Sequence, residues 1–114
     1  MTTAGNATAF NRETYDRLWP SLSDFIRYNP GARHRRRMVF DALDRVQFDS
    51  LLDVGCGNGE LLRFIDARWP GRRLCGVDLS PVVVEQNARS LPHMQFVACN
   101  MVREPLPDGF DVAV

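Results

Sequence analysis

The chain has 114 residues, 45% hydrophobic and 25% charged, ordinary globular values that exclude overall disorder and bound it to one domain or part of one. Its 14 basic residues, all arginine, balance 14 acidic ones, which argues against a chain that coats nucleic acid or an anionic membrane and excludes lysine-based Schiff-base chemistry. Cys56, Cys75 and Cys99 show no CxxC spacing, so no disulfide framework and no metal site are expected, and a cytoplasmic chain fits.

Residues 1–9 carry little apolar mass and no signal-peptide core, and they are expected to fray. No apolar run approaches the roughly 20 residues that span a bilayer, so no membrane association is expected. From Asn11 a short helix is predicted, with Tyr15, Leu18 and Trp19 on one face and Pro20 as its stop. Ser21 and Asp24 resemble a capping box for a second short helix through Tyr28. Asn29-Pro30 supplies an N-cap and a first-turn proline for a longer helix, in which Val39, Ala42, Leu43 and Val46 form the predicted core stripe. Residues 10–48 thus read as a helical cap, and residues 49–114 as a different texture.

Leu51, Leu52 and Val54 form a short apolar run ending in glycines, which is how a parallel strand buried on both faces reads. Leu61, Leu62, Ile65 and Trp69 give a helical stripe closed by Pro70-Gly71. A second strand is predicted at Leu74–Val77, a helix from Ser80-Pro81 to about Arg89, a third strand at Met94–Cys99 and a fourth at Phe110–Val114. Strand and helix in alternation indicate an α/β fold, a Rossmann-like doubly wound parallel sheet with helices expected on both faces.

The segment Asp53-Val54-Gly55-Cys56-Gly57-Asn58-Gly59 lies between the first strand and the helix after it. Glycines there serve a sharp turn and the close approach of a ligand to the backbone. A dinucleotide site wants GxGxxG, but the position of the third glycine holds Glu60, whose charge would repel a pyrophosphate. An acid-lined GxGxG loop suits a zwitterion with an amino group better.

DVGCGNG followed by CGVDLS resembles the first two motifs of class I S-adenosylmethionine-dependent methyltransferases. The resemblance covers about Ser50 to Val114 and implies S-adenosyl-L-methionine as cofactor and a sheet ordered 3-2-1-4. It implies that Asp53 lies near the methionyl amino group, that Gly55, Cys56 and Gly57 line the methionyl part, that Asp78 accepts from both ribose hydroxyls, and that Leu79 packs on the adenine. Asn100, where the family usually has an acid, would accept from the adenine amino group, and the backbone N–H of Met101 would meet a ring nitrogen. Pro105 to Val112 matches the family's approach to strand four.

Other readings stand beside these. Asp53 also suits interaction with the helix N-terminus, and Glu60 is a first-turn acid favoured by the helix dipole. Cys56 reads as a small loop residue, and Cys75 and Cys99 as buried strand residues. The run Arg33-His34-Arg35-Arg36-Arg37 is a solvated helix face or an anion contact, either to the methionyl carboxylate or to the acceptor. Tyr15, Trp19 and Tyr28 either close over the cofactor or simply pack. The family's acceptor and base residues lie mostly at and beyond strand four, so no catalytic residue is assigned. The expected activity of the parent protein is methyl transfer to a small molecule, glycan or lipid precursor, with RNA the weaker acceptor. The alternative is a non-catalytic cofactor-binding fragment that needs a partner. For the chain alone, self-association or a complementing chain at the strand-four edge is expected.

Overall fold

The computed structural model describes residue 9, residues 11–18 and residues 28–114. Residues 11–18 form helix α1. Then follow α2 (Pro30–Leu43), β1 (Ser50–Val54), α3 (Glu60–Arg68), β2 (Arg73–Asp78), α4 (Pro81–Ser90), β3 (Gln95–Ala98) and β4 (Val112–Ala113). The strands form one parallel sheet in the order β3-β2-β1-β4. Trp19 and the Ser21–Asp24 capping box lie outside the described residues. Among the described residues, no helix is long and apolar enough to cross a membrane.

Asn29 caps α2 as its sequence predicts, its side-chain oxygen accepting from the N–H groups of Gly31 and Ala32 at 2.8 and 3.2 Å. The core stripe of α2 differs from the predicted one. The helix ends at Leu43, Ala42 is exposed, and Val46 lies past the helix and is 50% exposed. The inward face is Arg36, Val39, Phe40 and Leu43, at i, i+3, i+4 and i+7. Arg36 belongs to this face because its guanidinium stacks over the Phe64 ring at 4.1 Å. Phe40 meets the edge of Trp69.

Leu51, Leu52 and Asp53 are all buried, so β1 is covered on both faces. Alternating residues divide the core. Leu51 and Leu74 face a cluster built with Leu43 of α2, Leu61, Leu62 and Ile65 of α3, and Leu91 and Met94. Leu52, Cys75 and Val77 face a smaller cluster with Cys99, Val97 and Phe110. Helices were expected on both faces. Instead, α2 and α3 and the end of α4 share one. The path β1–α3–β2–α4–β3 steps in a single direction across the sheet, and right-handed crossovers in one direction place successive helices on the same face.

β4 attaches to the other side of β1. Asp111 accepts from the N–H groups of Asp49 and Ser50 at 2.8 and 3.2 Å, and its own N–H donates to the Ser50 hydroxyl at 2.8 Å. The regular strand is shorter than predicted, but Val114 continues the pairing through Leu52 and Val54. The order therefore reverses at β1, and the ends of β1 and β2 border the crevice where open α/β sheets take ligands.

Candidate functional site

The chain leaves β1 through a loop that folds over the end of β2. The N–H groups of Gly55 and Cys56 both donate to the Val77 carbonyl, at 2.8 and 2.9 Å. Gly55 and Gly59 adopt left-handed conformations, each with φ of 77°, which glycine adopts without steric cost. A Cβ on Gly55 would meet nothing within 4 Å, so its outer face is open. Gly59 starts α3 without a side-chain cap, and Asn58 substitutes by accepting from the Glu60 N–H at 3.2 Å.

Cys56 turns its sulfur down into the core. A Cβ on Gly76 of β2 would lie 2.7 Å from that sulfur and 2.9 Å from the Phe96 ring, so the loop rests on a strand position that admits only glycine. Burial raises the Cys56 thiol pKa, and the carboxylates of Asp53 and Asp78 push it the same way. It is a packing residue whose backbone borders the cleft.

Two buried side chains hold the loop from below. Asp78, 7% exposed, accepts from Gly57 N–H at 2.9 Å and from Ser80 N–H at 3.0 Å. Asn87, 3% exposed, donates to the Gly57 carbonyl at 2.7 Å. Sequence reasoning missed Asn87. Its signal is an amide in the buried Val83, Asn87, Leu91 line, which runs along one face of α4 onto its C-cap, where a polar group needs a partner.

Asp53 is 1% exposed, and its Oδ1 has no hydrogen-bond partner among the described residues. The nearest cation is the Arg35 guanidinium at 3.9 Å, an ion-pair distance beyond hydrogen bonding. Burial pushes the Asp53 carboxyl up from 3.8 to about 6; Arg35 opposes this and the charge of Asp78 adds to it. A cleft of about 100 Å³ opens here between α2 and the loop, bordered by Ala32, Arg35, Arg36, Asp53, Gly55, Cys56, Asn58, Glu60 and Leu61. The arginine run therefore divides. Arg35 faces the site, Arg36 is stacked, and Arg33 and Arg37 are exposed.

Leu79 is half-buried, and its carbonyl accepts from Arg12 Nε at 3.2 Å. Asn100 and Met101 follow β3 in a compact turn, reached through Cys99, whose N–H donates to the Asp78 carbonyl. The Asn100 side-chain oxygen accepts from Val102 N–H at 3.2 Å, and Met101 is 40% exposed. Asp53, Gly55, Cys56, Gly57 and Asp78 thus converge at the ends of β1 and β2, with Asn100 and Met101 beyond β2. On α1, Tyr15 and Leu18 are 44% and 40% exposed, and Trp19, the third residue of the predicted face, lies outside the described residues. The helix meets the turn after β2 through Arg12 and through Asp16, which accepts from the Ser80 hydroxyl.

A family model described as a methyltransferase domain matches residues 51–114, more than half of the chain. The chain belongs to that family. Trans-aconitate 2-methyltransferase of Klebsiella pneumoniae (strain 342) is 35% identical over 72 residues, 60% of this chain and 28% of that protein. The chain thus spans less than a third of that curated relative. The SAM-bound structure of CalS10, an amino pentose methyltransferase from Micromonospora echinaspora, is 29% identical with a TM-score of 0.55, covering 73% of this chain and 39% of that one. A TehB-like SAM-dependent methyltransferase from Corynebacterium glutamicum superposes with a TM-score of 0.63 over 92% of this chain and 54% of its own, at 20% identity, a likeness of fold alone. Class I methyltransferase architecture and S-adenosylmethionine as the family cofactor follow.

Proposed function

We propose that the crevice at the ends of β1 and β2 binds S-adenosylmethionine, and that the whole protein transfers its methyl group to a small-molecule acceptor. The observation that carries this reading is the buried Asp53 carboxylate, whose Oδ1 has no hydrogen-bond partner among the described residues, beside the open face of Gly55. Keeping a buried carboxylate oxygen without a hydrogen bond is costly, and a ligand ammonium removes that cost.

The residues present fit the cofactor. Asp53 would take the ammonium and Arg35, at the same cleft, the carboxylate of the methionyl part. Gly55, Cys56 and Gly57 would border it. Asp78 accepts one N–H on each oxygen, and a carboxylate has about four acceptor directions, so two remain for ribose hydroxyls. Leu79 would pack on the adenine, the Asn100 side-chain oxygen would accept from its amino group, and the Met101 N–H would meet a ring nitrogen.

When bound, S-adenosylmethionine supplies a sulfonium methyl group open to in-line displacement by an acceptor atom. The part of this chain is to bind, orient and exclude water. No acid or base within it is assigned to the acceptor. A small-molecule acceptor is supported by the relatives named for trans-aconitate and for an amino pentose.

Calorimetric titration with S-adenosylmethionine, and separately with NAD, tests the reading. Saturable heat with the first and none with the second is expected. The reverse would restore a dinucleotide site and overturn the proposal.

A further inference from the structure

Resting on that cofactor reading, we propose that Asn87 is a positioning residue for S-adenosylmethionine, one that sets the glycine loop at a fixed offset from Asp78 so that a single ligand engages both. Asn87 is not among the residues that border the cleft. It lies on α4, 3% exposed, and its amide donates to the Gly57 carbonyl at 2.7 Å. The same nitrogen stands 4.0 Å from the Cys56 sulfur. At the C-cap of the helix, the Leu91 side chain lies 3.3 Å from where a Cβ on Gly59 would stand. One line of α4 residues thus meets the loop at Cys56, Gly57 and Gly59.

The loop needs such support because it has little stiffness of its own. Gly55, Gly57 and Gly59 all adopt positive φ, and glycine sets the weakest limits on backbone rotation. Gly57 is held at both of its peptide groups. Its N–H donates to Asp78 at 2.9 Å, and its carbonyl accepts from Asn87. Without the Asn87 amide the carbonyl loses that partner. The peptide joining Gly57 to Asn58, a residue that borders the cleft, is then free to turn.

Both grips on Gly57 belong to one strand-to-helix unit. Asp78 ends β2, the Ser80 N–H donates to it at 3.0 Å, and the Ser80 hydroxyl caps α4 by accepting from the Val83 N–H at 3.2 Å. The separation of Asp78 from Asn87 is therefore set by a capped turn and by helix geometry. In the cofactor reading Asp78 takes the ribose and the loop takes the methionyl part. A ligand that spans the two gains from the fixed offset, because the loop is already ordered when the ribose docks. A ligand that occupies the Asp78 end alone gains nothing from it.

The test compares two ligands on the full chain: S-adenosylhomocysteine, which spans both ends, by calorimetry, and adenosine, which reaches the Asp78 end alone, by ligand-observed NMR titration. Asn87→Leu keeps the volume and removes the donor. Asn87→Ala removes the donor with a residue that favours the helix, and it serves where the leucine variant does not fold. Either should raise the dissociation constant for S-adenosylhomocysteine about 5- to 50-fold and leave that for adenosine within about twofold, a split inside the range of couplings between linked sites. Gln86→Ala, an exposed neighbour on the same helix, should change neither. An unpaired Gly57 carbonyl also lowers stability, so both affinities are measured where circular dichroism shows the variant folded. Wild-type affinity for S-adenosylhomocysteine in a folded variant would overturn the proposal. Equal losses for the two ligands, or unfolding of both variants, would mark a residue that supports the fold as a whole and overturn it too. A wild-type chain that takes neither ligand overturns the cofactor reading, and the positioning role with it.

Discussion

Gly57 donates its backbone N–H to Asp78 at 2.9 Å across 21 residues of sequence. The carboxylate at the end of β2 is therefore a strut for the glycine loop as well as a proposed ligand group. Asp78→Ala removes both roles. The stranded Gly57 N–H should cost about 1–3 kcal/mol of stability, and affinity for S-adenosylhomocysteine should fall about tenfold to a few hundredfold. Asp78→Asn keeps one acceptor oxygen and should lose less of each. Calorimetry and urea melts measure the two effects, and an unchanged dissociation constant for the alanine variant would remove Asp78 from the site.

Asp53 makes a prediction with a sign. Its carboxyl is pushed from 3.8 up to about 6 by burial, so the native chain holds the proton more tightly than the unfolded chain. Between those values the unfolded state binds fewer protons, and stability falls as pH rises, by on the order of 3 kcal/mol in full. Thermal melts of the ligand-free chain should show this loss from pH 4 to 6, superimposed on other titrations. Asp53→Asn should lack it and melt higher than wild type at pH 7.5. The same variant should lose ligand affinity, and wild-type affinity should decline below about pH 6 as the carboxyl takes its proton.

Gly55 and Gly71 form a matched pair. Their φ values are 77° and 83°, and an added Cβ would meet nothing at either. Alanine at either position should cost about 1 kcal/mol for its left-handed backbone. Gly71 lies in the turn between α3 and β2, away from the cleft. Only Gly55→Ala should weaken S-adenosylhomocysteine binding, and equal binding losses in the two variants would show that the ligand does not approach the loop.

Gly76 predicts a rescue. Its Cβ would collide with the Cys56 sulfur at 2.7 Å and the Phe96 ring at 2.9 Å. Gly76→Ala should therefore destabilise by about 1–3 kcal/mol through overpacking and displace the loop. Cys56→Ala in the same chain removes one of the two clashes and should return part of the stability. A double-mutant cycle measures the coupling, and strict additivity would show that Cys56 and Gly76 do not share this space.

Much of the architecture was legible locally. The Asn29 cap, the apolar run of β1 and the stripe of Leu61, Leu62 and Ile65 depend on neighbours within a turn or on strand alternation, and they stand where the pattern placed them. The face of α2 was misjudged because Arg36 looked too polar for an inward position. Its partner, Phe64, is distant in sequence, and a guanidinium over a ring satisfies what residue type alone does not reveal. On α1 the apolar spacing of Tyr15 and Leu18 gave no sign of the hydrogen bonds that Arg12 and Asp16 make to Leu79 and Ser80.

The sequence by itself determined the strand–loop–helix order, the glycines that let the chain reverse over β2, and the acids at the ends of β1 and β2, because each is a property of short segments and of residue type. Only the tertiary structure decided what those acids experience and what holds the loop. Asp53 has a raised pKa because packing from other segments takes it out of water and leaves Arg35 at 3.9 Å. Asn87 reaches the Gly57 carbonyl across 30 residues, and Arg12 the Leu79 carbonyl across 67. Desolvation and long-range hydrogen bonds arise when distant segments meet, and no local pattern in the chain encodes them.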